Sequence, residues 1–211
     1  MTGGISALTV ALEAAISAVK ENHEGIPDVV LVVGGPGRGQ VHGHFAPKRW
    51  AIRDNDEEST HEIMLAGESF NRGGVATFGT LVHELAHAYC DANGIQDTSN
   101  RGRYHNKLFK KVANEFGLEI EKADTIGWSV TTVPEQMKAR YADHIEAIDE
   151  AIVAYRRVGF SAKGSPKKAP KWVMSCPECQ DPVPIGKKWF ERQAEPPQCK
   201  IHDLPYELDQ E

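Results

Sequence analysis

Cysteine is scarce in this chain: four in 211 residues, three of which (Cys176, Cys179, Cys199) fall into one spacing pattern and leave Cys90 alone. That count excludes a disulfide framework and points to a reducing, cytoplasmic setting. Also missing is any apolar run long enough to cross a bilayer, so no membrane association is expected. The nearest thing to one is the N-terminal stretch, where Ile5, Leu8, Leu12, Ile16 and Val19 recur at helical spacing. It lacks a basic leading region and is broken by Glu13, so it reads as an amphipathic helix and not as a signal peptide. There are no internal repeats. The glycine cluster at 34–39 lacks the Lys-Ser/Thr ending of a phosphate-binding loop and opens no helix, so a hairpin turn is expected there. What remains, at 40% hydrophobic content, suffices for one sizeable core and a minidomain.

The most informative feature is His83-Glu84-Leu85-Ala86-His87, an HExxH motif inside a helical pattern. Apolar residues at Phe78, Leu81, Val82, Leu85, Ala86 and Tyr89 recur at spacings of three and four, and Asn93-Gly94 supplies a stop. Histidines four apart lie one turn apart on one helix face, so both imidazoles can reach one Zn²⁺. Glu84 is then placed as the general base for a water attacking a carbonyl, which makes zinc-dependent peptide hydrolysis the leading expectation.

A catalytic zinc takes a third protein ligand and keeps a fourth position open. Cys90 shares the helix face, but seven residues at about 1.5 Å each put it roughly 10 Å from His83 along the axis. It reads as a small core residue. The Gly and third His that extend the motif in metzincins are absent. The better candidate is His105, after a Gly-containing loop and before a helix marked by Leu108, Val112 and Phe116 and ended by Gly117. An antiparallel helical hairpin would swing it against the first helix. His42 and His44 alternate on a presumed strand and, with no third ligand nearby, are expected to be exposed or hydrogen-bonded.

HELAHAYC, then a Gly-rich stretch with Tyr-His-Asn ahead of a Phe-containing helix, resembles the SprT-like (Spartan-type) metallopeptidase domain over roughly residues 5 to 158. The resemblance implies an α+β zincin-like domain, helices packed on a small, mostly antiparallel sheet. Its ligand set maps onto His83, His87 and His105, with Glu84 as the catalytic carboxylate. The family's best-known members cleave proteins crosslinked to DNA, whereas its bacterial and phage-type members have poorly defined substrates, so the class transfers better than the substrate.

Elsewhere in residues 1–158, Val29–Val33, 41–52 and 60–65 read as strands. The segment Ile63-Met64-Leu65 would serve as an edge strand able to pair with an extended substrate. Gly127-Trp128-Ser129-Val130-Thr131 is extended and similar to a segment of the family. After Pro134, one long helix is expected, with Met137, Tyr141, Ile145, Ile148, Ile152 and Tyr155 as its buried stripe.

Past residue 150 the composition changes. Residues 1–150 carry a net −8, residues 151–200 a net +6, and the last eleven −4. Six basic and no acidic residues lie between Ala151 and Pro177, and 159–171 reads as a flexible basic linker, either one that nucleic acid or another polyanion would meet first or a solubilising hinge. Residues 172–211 then hold Cys176-Pro177-Glu178-Cys179 and, after nineteen intervening residues, Cys199-Lys200-Ile201-His202. Two such knuckles match a zinc ribbon whose four ligands, Cys176, Cys179, Cys199 and His202, leave a closed, structural site. So small a unit depends on its metal for folding energy. SprT-like tails of this kind are usually all cysteine, and His202 departs from that. Trp172 and Trp189 flank the site and could pack on it or stack on bases. Two other classes fit the same residues: a DNA-associated adaptor with a vestigial core, and a metallohydrolase acting on a non-protein amide. Intact Glu84 argues against the first.

Overall fold

The computed structural model describes residues 4–35, 41–157, 172–185, 192 and 195–208. The chain forms two compact units, Met1–Val158 and Gly159–Glu211. The linker expected over 159–171 and Trp189 lie outside the described residues.

The first unit is mixed α+β. Helix α1 (Ile5–Asn22) buries Leu8, Leu12, Ala15, Ile16 and Val19, the stripe that its 3.6-residue period dictates. Strands β1 (Val29–Gly34), β2 (Gly43–Ile52) and β3 (Asn55–Ala66) make a three-stranded sheet in the order β1-β3-β2. β1 runs parallel to β3 and β2 antiparallel to it. Two expectations change here. The glycine cluster does not close a hairpin, because β3 lies between the strands on either side of it. For the same reason Ile63-Met64-Leu65 is central and both its backbone edges are taken, so it cannot pair with a substrate; β2 is the free edge beside the cleft.

A 3₁₀ turn over Gly67–Arg72 leads into the 20-residue helix α2 (Gly73–Ala92). Asp149, from a later helix, accepts a 2.5 Å hydrogen bond from the backbone N–H of Gly74 and so caps α2 from across the fold. Phe78, Leu81, Val82, Leu85, Ala86 and Cys90 are buried in one core with α1 and the inner face of the sheet. A second, four-stranded sheet has the order β4-β5-β7-β6, from β4 (Thr98–Ser99), β5 (Tyr104–His105), β6 (Glu119–Ala123) and β7 (Gly127–Thr132). β5 pairs parallel with β7, and the other two pairings are antiparallel. Both sheets are thus small and mixed, where a mostly antiparallel one was expected.

Helix α3 (Lys107–Glu115) follows β5. Its buried residues are Phe109, Val112 and Ala113, with Phe116 just beyond, whereas Leu108 is 47% exposed. The single long helix expected after Pro134 is two: α4 (Glu135–Arg140) and α5 (Ala142–Ala151), interrupted at Tyr141. Met137, Tyr141, Ile145 and Ile148 are buried as the stripe requires. Tyr155 is 58% exposed, because the chain has left the helix by then. There the backbone N–H of Arg156 reaches the Gly67 carbonyl, and its guanidinium pairs with Glu68.

In the second unit β8 (Trp172–Ser175) is flanked by β9 (Pro182–Ile185) and β10 (Glu207–Leu208), antiparallel to both. Among the described residues no helix is long and apolar enough to cross a membrane.

Candidate functional site

Among the described residues, two groups of side chains could hold a metal ion: His83, His87 and His105 in the first unit, and Cys176, Cys179, Cys199 and His202 in the second.

The first group is assembled from two elements. α2 supplies His83 and His87 one turn apart, as local helix geometry demands. His105 comes from β5, not from the start of a helical hairpin. Its backbone N–H donates to the Ile126 carbonyl at 3.0 Å, and it pairs with Gly127 of β7. Gly127 has φ +75°, and a Cβ there would collide with the His105 carbonyl. Only glycine permits this approach of β7 to β5. The next residue, Asn106, caps α3 by accepting from the N–H groups of Leu108 and Phe109, and donates to the Gln96 carbonyl at 2.6 Å. The same few residues start α3 and tie it to the loop after α2.

The Nε2 atom of His105 lies 3.3 Å from that of His83 and 3.0 Å from that of His87. Each Nδ1 has its own partner: a carboxylate oxygen of Asp97 at 2.5 Å for His87, the Ile126 carbonyl at 3.2 Å for His105, and the Thr131 hydroxyl at 2.8 Å for His83. Carboxylate and carbonyl accept only, so Nδ1 carries the proton in His87 and His105. Thr131 directs its own hydroxyl to the Ser129 carbonyl, which leaves it as acceptor for His83 as well. Burial, reinforced by the neighbouring imidazoles, lowers the pKa of His83 far below its ordinary value and that of His105 less so. With Nδ1 committed to its own partner on each ring, the three Nε2 atoms face one another across about 3 Å, an arrangement that a cation between them would satisfy. The separations suit one: Zn–N bonds of 2.0–2.1 Å in a tetrahedron put nitrogens about 3.3 Å apart. The donor set therefore fits a zinc-like ion.

The face of Phe109 stacks on His87 with ring centres 4.4 Å apart, and it lies 4.6 and 4.8 Å from His83 and His105. Glu84 is 5% exposed, and burial pushes its carboxyl up to about 7 against the pull of His87 and a hydrogen bond from the Phe45 backbone N–H. A Cβ on Gly43 would stand 3.1 Å from Glu84 Oε1 and 3.0 Å from the Met64 carbonyl, so β2 passes directly over this carboxyl. These groups open into a cleft of about 1420 Å³ between β2 and β7, floored by α2. Cys90 is buried and free, its thiol pushed up to about 12, chiefly by burial. His42 and His44 are hydrogen-bonded as expected, to the Ser69 hydroxyl at 2.6 Å and to Glu62 at 3.3 Å. Arg103 lines the cleft, while Tyr104 packs over Gly127.

In the second unit Cys176 and Cys199 Sγ lie 3.7 and 3.8 Å from His202 Nδ1, and Cys179 Sγ lies 3.8 Å from Cys199 Sγ. Each knuckle turns tightly, with Gln180 N–H donating to the Cys176 carbonyl and Asp203 N–H to that of Cys199, both at 2.8 Å. Backbone N–H groups of His202 and Ile201 pointing at Cys199 bring its thiol down to about 6, toward the thiolate a metal takes. Four donors at such separations fit a closed tetrahedral site.

Asp97, Thr131 and Phe109 were not singled out from sequence. Asp97 had one available signal, an acidic residue in the loop between motif and third histidine; Thr131 and Phe109 lie in segments that carry the resemblance, but nothing there pointed to their contacts with the imidazoles. No protein-family model, curated protein or solved structure matches the chain.

Proposed function

We propose that the chain is a zinc-dependent endopeptidase of the SprT-like type. The observation that carries this reading is the convergence of three imidazole lone pairs beside a buried carboxyl, at the floor of an open cleft. His83, His87 and His105 would hold the zinc, which when bound polarises a carbonyl and acidifies water. Glu84 takes the proton from the attacking water and passes it to the leaving amine. The Phe45 N–H holds that carboxyl in place, and Asp97, Thr131 and the Ile126 carbonyl fix the ring orientations. β2, the free edge beside the cleft, offers main-chain groups to an extended peptide, which suits broad specificity. Cys176, Cys179, Cys199 and His202 would hold a second, structural zinc. A DNA-associated substrate is proposed on the basic stretch alone.

Metal quantification and digestion of an unfolded protein test this together. Wild type should bind two zincs and cleave; Glu84→Gln should keep both and cleave nothing; His105→Ala should keep one. Cleavage by Glu84→Gln would remove the assigned base, and an inactive wild type with two zincs would remove the peptidase.

A further inference from the structure

The cleft contains a cation that neither metal binding nor the proton transfers use. Arg72, the last residue of the 3₁₀ turn before α2, is exposed to the cleft and lines it. Its guanidinium is held in one position: Nε donates to the Ser69 carbonyl at 3.2 Å, and one terminal nitrogen donates to the Thr80 hydroxyl at 2.9 Å. Among the described residues no carboxylate pairs with it. The guanidinium fork has five N–H groups, so donors remain for a further partner.

The surroundings give that end of the cleft a sign. Its carboxylates are Glu84, Asp91 and Asp97, all at or beyond the histidines along the chain. Lys138 also lines the cleft, already paired with Glu135 at 2.6 Å, and His42, bonded to the Ser69 hydroxyl, has its protonation disfavoured by burial and by the nearby Arg72 guanidinium. Arg103 also lines the cleft, but on a loop and with no side-chain hydrogen bond among the described residues. Burial lowers the pKa of Arg72 without threatening its charge. Thr80, which holds the guanidinium, lies four residues before Glu84, about 6 Å along the helix axis. An extended peptide advances about 3.3 Å per residue, so a group on Arg72 stands about two or three residues from the bond above Glu84.

We infer that Arg72 is a specificity-determining residue, which selects peptide substrates carrying an acidic side chain two or three residues to one side of the scissile bond. The inference rests on the peptidase reading. Arg is suited to it, since a pre-positioned fork binds carboxylate through two parallel N–H donors.

The test uses quenched-fluorescence peptides that carry a single Glu, Gln or Lys at each of three positions on either side of the cleavage site. Wild type should prefer Glu over Gln roughly five- to tenfold in kcat/KM on one side only, less so at high salt. Arg72→Gln should bring the ratio of Glu- to Gln-peptide kcat/KM to about one, Arg72→Lys should restore part of the preference, and Arg72→Glu should turn it toward Lys. That reversal separates recognition from a structural role for the Arg72–Thr80 bond. In parallel, versions of the peptides that carry a single fluorophore and no quencher are titrated against Glu84→Gln protein by fluorescence anisotropy, with Arg72 intact or replaced by Gln. Cleavage by wild type without a Glu preference overturns the inference and leaves the peptidase standing. No cleavage, but Arg72-dependent binding of the Glu peptide, keeps recognition and overturns the peptidase. Neither cleavage nor Arg72-dependent binding overturns both.

Discussion

The buried carboxyl of Glu84 sets how the metal-free protein responds to pH. In the folded chain it titrates at about 7, against an ordinary value of 4.5, chiefly because burial penalises its charge. Below pH 4.5 it is protonated whether the chain is folded or not, and contributes no pH dependence. Between 4.5 and 7 the unfolded chain releases the proton while the folded one keeps it, so folding stability falls as pH rises through that window. The gap of 2.5 pH units corresponds to about 3 kcal/mol, fully lost above pH 7. Glu84→Gln keeps the shape and the acceptor for the Phe45 N–H but has nothing to ionise. Stripped of metal, the variant should therefore match wild type near pH 4.5 and exceed it by about 3 kcal/mol near pH 8. In urea that is a midpoint difference of about 1–3 M, read from helical circular dichroism; every helix among the described residues belongs to the first unit. His83 and His105, whose values are lowered, destabilise the fold as pH falls, but they do so in both proteins and drop out of the difference. Zinc should shrink the gap, since a cation nearby favours the carboxylate. A difference that stays constant from pH 4.5 to 8 would refute the burial argument for Glu84.

Asp97→Asn should weaken zinc at the three-histidine site about 10- to 100-fold in competition with a chelator, with the helices intact, because the variant no longer fixes the His87 ring and its tautomer. Gly127→Ala should cost one of two zincs per chain, since the added Cβ meets the His105 carbonyl and drives β5 off β7; two zincs retained would contradict the positioning of His105 by that strand pair. Cys176→Ser should also cost one zinc and make the second unit sensitive to proteolysis, while cleavage of a short peptide by the first unit is unaffected. If peptide cleavage falls in proportion to zinc, the second site is not merely structural.

Local periodicity made much of this readable before any coordinates. Histidines at positions 83 and 87 share a helix face once the segment is helical, and a Cys-x-x-Cys pair brings two thiols to one turn. The core stripes of α1 and α2 follow from the 3.6-residue repeat alone. The repeat misled after Pro134, where the apolar spacing continues through Tyr155 but the backbone is drawn away to Gly67 after Ala151. It also misplaced the face of α3, because Leu108 and Phe109 are adjacent and only packing against the imidazoles decides which turns inward.

What the sequence by itself determined is therefore the pair of histidines with their carboxyl, the two separate Cys-led turns at 176–179 and 199–202 and the amphipathic helices, each set by neighbours within a few residues. Tertiary structure alone decided which strand is central and which is free at the cleft. It also decided that Asp97, Thr131 and the Ile126 carbonyl orient three rings, and that the Ser69 carbonyl and the Thr80 hydroxyl hold the Arg72 guanidinium at the cleft. Strand order and ring partners join residues up to 48 positions apart, and no short-range period encodes contacts made only when separate elements pack.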